Sequence, residues 1–206
     1  MRLFDISMTI QPDMMVYKNQ ASKRPVHVVE RKIPPDTINE SMLTLNLHTG
    51  THIDSPFHIT ADGYPTEFLD LEKLVTRCRV VDLTAVTDGI TQADLLDLKI
   101  EPGEFLLFKT RNSFSESFDP DFIYLKADGA AFLAERRIKG VGIDSLGIER
   151  AQPGHETHLA LLTREIIIIE GLRLKDVPAG EYELIALPLK IRDADGAPMR
   201  AILISE

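Results

Sequence analysis

The chain has 206 residues, of which 44% are hydrophobic and 27% charged, with a net charge of −9. Length and composition suit one globular domain with a sizeable core and argue against disorder. The acidic balance repels phosphate backbones and speaks against nucleic acid as a partner.

Cys78 is the only cysteine, so no intrachain disulfide can form. In Arg77-Cys78-Arg79-Val80-Val81 it shares parity with Val80 and reads as a small buried residue. The opening residues carry no long apolar stretch of the secretory type, and the four isoleucines at 166–169 are too few to span a bilayer. The expectation is a soluble cytoplasmic protein with no membrane partner.

In chain order, the pattern predicts strands over residues 2–6, 26–31, 41–47 and 79–83, then a short helix over 92–98. A strand over 104–110 precedes the clearest helix, 127–137, whose apolar face includes Ala130, Phe132, Leu133 and Ala134. A strand over 140–143 and a helix over 155–163 follow, then strands over 165–169, 183–190 and 200–204. Loops are expected at 11–25, 34–39, 61–66, 112–120 and 193–198. With no repeat, long linker, Gly-x-Gly-x-x-Gly or Walker-type loop, residues 1–206 read as a single α/β domain. The early excess of strands points away from a wholly parallel doubly wound sheet.

Three of the six histidines fall in His48-Thr49-Gly50-Thr51-His52-Ile53-Asp54-Ser55-Pro56-Phe57-His58. Imidazole and carboxylate are the usual ligands of zinc and similar divalent metals. If the strand over 41–47 continues, Leu43, Leu45 and Leu47 face one way while His48, His52 and Asp54 share the other face. Gly50, on that polar face, would then leave space for a metal and a substrate. A helical His-x-x-x-His geometry is disfavoured by Gly50, Thr51, Ser55 and Pro56. Three protein ligands leave a coordination position open, the arrangement of a catalytic site. His58 suits proton transfer near neutrality and reads as a shuttle, with a further ligand as the alternative. Downstream, Glu170 ends the four-isoleucine run; either a metal partners it in the interior or it sits at an exposed strand end.

Residues 48–58 resemble the His-x-Gly-Thr-His-x-Asp-x-Pro-x-His signature of the cyclase-like metal hydrolases, which include bacterial kynurenine formamidase (arylformamidase) and isatin hydrolase. Asp5-Ile6-Ser7, Gly142-Ile143-Asp144-Ser145, Leu187-Pro188-Leu189-Lys190 and Asp195-Gly196-Ala197-Pro198-Met199-Arg200-Ala201 extend the resemblance along the chain. It implies a swivelling β/β/α fold with a mixed sheet, assembled as a homodimer or homotetramer. It implies one divalent metal, Zn2+ or alternatively Mn2+, on His48, His52 and Asp54. It also implies a second metal on Asp54, His158 and Glu170, with Asp54 bridging and His58 as the catalytic histidine. Kynurenine formamidases of this family place a tryptophan against the aromatic substrate; this chain has no Trp, and Tyr17 falls near that position.

The leading expectation is therefore an arylformamidase that hydrolyses N-formyl-L-kynurenine to L-kynurenine and formate, a step of tryptophan catabolism, through metal-bound hydroxide. Ring-opening of a cyclic amide such as isatin is the second enzymatic reading. A metal-containing binding protein without turnover is a third, and His58 argues against it.

Overall fold

The computed structural model describes residues 1–205. In chain order the elements are β1 (Arg2–Asp5), β2 (Val26–Arg31), β3 (Glu40–Thr44), β4 (His52–Asp54), β5 (Val75–Asp82), β6 (Gly89–Ile90), α1 (Gln92–Leu95), β7 (Phe105–Lys109), β8 (Tyr124–Leu125), α2 (Ala127–Glu135), β9 (Gly140–Ile143), α3 (Glu156–Leu162), β10 (Ile167–Glu170), β11 (Gly180–Pro188) and β12 (Gly196–Ser205).

Eight strands form one sheet in the order β1-β12-β11-β5-β7-β9-β10-β4. The pairs among β5, β7, β9 and β10 are parallel, and the others are antiparallel. β4 also pairs with β12, so the sheet curls round and closes on itself like a barrel. The long strand β12 makes this possible: its residues 196–198 take β4, and its residues 202–205 take β1.

The apolar runs follow from this wrapping. Strands buried on both faces read as continuous hydrophobic stretches. Phe105, Leu107, Ile167 and Ile169 fill the barrel interior with Ile53, Leu184 and Leu203. Their neighbours Leu106, Phe108, Val141, Ile143 and Ile168 face outward beneath α2 and α3, against Leu133, Leu161 and Leu162. Gly140 and Gly142 supply the missing volume inside, since a Cβ on either would collide with Phe105 or with Leu107.

The structure adjusts several expected boundaries. The strand over 41–47 stops at Thr44, the one over 79–83 begins at Val75, and the loop over 193–198 becomes β12 from Gly196. The leucine alternation did not mark a core face, because Leu43 is half exposed and every residue of β2 and β3 is exposed. β2 and β3 form a separate hairpin. No helix among the described residues is long and apolar enough to cross a membrane.

Candidate metal centre

β4 is three residues long, and its alternation builds the site. Ile53 points into the barrel and is fully buried, so His52 and Asp54 point outward. β10 presents Glu170 opposite His52 and Ile168 opposite Asp54, so Glu170 shares that outward face. α3 lies over it, anchored by Leu161 and Leu162, and delivers His158. His58 closes the turn Pro56–His58 that follows β4. His48 arrives by a turn, with its backbone N–H donating to the Asn46 side chain. The strand over 41–47 does run into a turn rather than continue to Asp54: β3 ends at Thr44, and Gly50, with a positive φ of 73°, turns the chain before β4 begins.

The donors converge to within 4 Å of one another. Asp54 Oδ1 lies 2.9 Å from His48 Nδ1 and 3.6 Å from His52 Nε2. Asp54 Oδ2 lies 3.3 Å from His158 Nε2. Glu170 Oε2 is 3.3 Å from His52 Nε2, and Glu170 Oε1 is 3.6 Å from His158 Nε2. Despite these approaches, His52 Nε2 and both Asp54 oxygens are buried without a hydrogen bond of acceptable geometry. Buried polar atoms are rarely left so. Nitrogen and oxygen donors aimed at a common space, close but not bonded, fit a divalent cation.

The far side of each ring is also held. His52 Nδ1 faces the Gly50 carbonyl at 2.9 Å, which can only accept, so the proton sits on Nδ1 and the Nε2 lone pair faces Asp54 and Glu170. His48 Nε2 faces Asp195 Oδ2 at 2.9 Å. His158 Nδ1 faces Glu149 Oε2 at 3.2 Å, off the ideal line. Acceptors behind metal-binding histidines fix ring orientation and raise basicity.

The electrostatics agree. Burial works against the charged form of His48, yet the Asp54 carboxylate 2.9 Å away and the hydrogen bond to Asp195 outweigh it and lift the ring to about 9. Burial likewise opposes ionisation of Glu170, and Asp54 adds repulsion, but His158 and His52 bring its carboxyl down to about 2. The buried carboxylates of Asp54 and Glu170 therefore demand positive charge beside them. Burial holds His58 below its usual value, so that ring is neutral at pH 7 and able to accept a proton.

Every sequence-derived candidate lies in or beside this centre. Glu170 is buried, which removes the exposed-end alternative. His155 instead contacts Glu149 from the exposed side. Tyr17 lines a cavity of about 140 Å³ with His48, His58, His158 and Glu170, and its ring packs edge-on against Phe118 and Phe122. Gly50 does not make room for a metal, since its missing side chain faces Ile10 and Met14. The residues that sequence reasoning missed are Glu149, Asp195 and the Gly50 carbonyl. Asp195 stands in a segment carrying the family resemblance, but no spacing tied it to His48.

The closed mixed sheet and the donors gathered on its outer face beneath α3 suit a metal-dependent hydrolase. The chain belongs to the Cyclase family, whose model matches residues 4–150. It is 35% identical over 206 residues to a kynurenine formamidase of Salinibacter ruber, covering 98% of this chain and 97% of that one. It is 45% identical to the "predicted metal-dependent hydrolase from Bacillus stearothermophilus", with a TM-score of 0.89, covering 98% of this chain and 97% of the other. Isatin hydrolase A from Labrenzia aggregata, at 22% identity and a TM-score of 0.82, covers 98% of this chain and 93% of its own and shares the fold.

Proposed function

We propose that the protein is an arylformamidase that hydrolyses N-formyl-L-kynurenine to L-kynurenine and formate. The observation that carries the reading is the set of buried donors without hydrogen-bond partners, His52 Nε2 and both oxygens of Asp54, beside His48, His158 and Glu170. We assign His48, His52 and Asp54 to one cation and Asp54, His158 and Glu170 to a second, with Asp54 bridging. Zinc suits this donor set and manganese tolerates it. When bound, such a cation supplies Lewis acidity to the formyl carbonyl and to the attacking water.

The chain's own residues do the rest. His58, neutral at pH 7, takes a proton as the C–O bond forms and returns it to the aniline nitrogen as the C–N bond breaks. Tyr17 offers a ring edge and a hydroxyl to the aryl group. Residues 1–206 act as one domain, an assignment supported by the pairing of β1 with β12. The acidic charge suits a small-molecule enzyme of the cytoplasm with no nucleic-acid or membrane partner.

The test is formate release from N-formyl-L-kynurenine by protein loaded with zinc or manganese, with isatin ring-opening as the comparison. Release from the formamide alone is expected. Activity on isatin alone would move the assignment to cyclic amides, and activity on neither would remove it. His58→Ala is expected to keep its metal and lose turnover by about 10²–10⁴-fold, measured as kcat beside elemental analysis. Loss of metal in that variant would instead make His58 a ligand.

A further inference from the structure

Asp195 is pinned beside the metal centre by its backbone. Its carbonyl accepts from the Ser55 N–H and from Ser55 Oγ, both at 3.0 Å, which ties it to the segment between Asp54 and His58. The next residue, Gly196, keeps space for His48, because a Cβ there would lie 2.7 Å from His48 Cε1. The Asp195 side chain then meets two imidazoles at once. Oδ2 lies 2.9 Å from His48 Nε2 and 3.5 Å from His58 Nδ1. The two rings stack, with centroids 4.2 Å apart and a tilt of 35°.

We propose that Asp195 is a positioning residue shared by the metal centre and the proton shuttle, one carboxylate oxygen orienting His48 as a metal donor and His58 as a base. The inference rests on His48 being a ligand and His58 the shuttle, as assigned above. A carboxylate oxygen only accepts, and it has lone pairs for two donors. Taking the Nε2–H of His48 leaves Nδ1, on the Asp54 side, for the cation. The same oxygen, 3.5 Å from His58 Nδ1, favours the tautomer that carries the proton on that nitrogen and leaves Nε2 to receive a proton from water. The opposite tautomer of either ring would turn a lone pair toward the carboxylate and be repelled. Asp195 thus acts on the reaction through two other side chains, and its loss disturbs both.

The test compares wild type, Asp195→Ala and Asp195→Asn. Cobalt(II) affinity is read by chelator competition, the cobalt coordination by its visible spectrum, and kcat and KM with N-formyl-L-kynurenine and zinc. Asp195→Ala is expected to weaken cobalt binding and to lower kcat by about 10–100-fold each, with an altered cobalt spectrum and little change in KM. Asp195→Asn keeps an acceptor oxygen but not the charge, so it recovers most of the cobalt affinity while kcat stays low. An Asp195→Ala protein with wild-type affinity, spectrum and kcat would overturn the proposal. So would equal loss of cobalt binding in both variants with a lowered Tm, which marks a purely structural role. Wild-type protein that binds no metal or releases no formate would count against the function itself, before any variant is compared.

Discussion

At the scale of single residues, the centre depends on two glycines meeting back to back. Gly171 takes a φ of 69°, and a Cβ there would run into the Gly50 carbonyl. That carbonyl holds the His52 ring through Nδ1. Gly171→Ala therefore strains the backbone and pushes His52 out of line. A lowered Tm together with loss of bound metal by elemental analysis is expected; loss of stability with full metal content would uncouple the two. Cys78 illustrates the opposite case, a reactive group silenced by packing. Burial pushes its thiol up to about 12. The folded value lies above the unfolded one of about 8.5, so the thiol's contribution to stability is intact below that pH and fades as pH rises toward the folded value. At pH 8 the native protein should not react with a thiol reagent, whereas guanidinium-unfolded protein should titrate one equivalent.

At the scale of elements, Asp144 ties the end of β9 to the turn after β7. It accepts from the Thr110 N–H and Oγ1, the Ser113 N–H and Oγ, and Asn112 Nδ2. Each buried donor left unmatched costs about 1–3 kcal/mol. Asp144→Ala orphans several, so a loss of at least about 3 kcal/mol is expected by urea denaturation. A loss under 1 kcal/mol would show that water replaces the carboxylate. The elements also show what the sequence made legible. The β7, β9 and β10 runs announced themselves because strands covered on both faces leave no polar alternation. His52 and Asp54 shared a face in the sequence reading and do so in β4, where the parity argument needed only three residues. The same argument failed over 41–47, because parity distinguishes two faces only when one of them is buried, and β3 is exposed on both. Pairing of β4 with β10 and β12 was invisible, since nothing local to residues 52–54 encodes partners far along the chain. Glu149 and Asp195 were missed for that reason: each is defined by the histidine it backs.

At the scale of the whole molecule, the β2–β3 hairpin stands apart from the barrel. Val26, Val28 and Met42 are each 40–54% exposed on one face, and Val29 and Leu43 are half exposed on the other. A two-stranded hairpin is marginal in water alone, and an apolar one asks for a partner. Val28→Glu combined with Met42→Glu is expected to leave the barrel's Tm unchanged, because neither side chain is part of its core. If self-association covers this hairpin, the double substitution lowers the molar mass read by light scattering; an unchanged mass would place the hairpin outside any such contact.

The closure of the sheet through β4 also has a consequence for how the protein is made. β4 has no strand partner until β10 and residues 196–198 of β12 have been synthesised. During synthesis, the segment bearing His48, His52, Asp54 and His58 therefore emerges well before Glu170 and β12, and its donors cannot be fixed against one another until the barrel closes. Closing the sheet and completing the centre are one event, so a substitution that opens the seam between β4 and β12 would undo both.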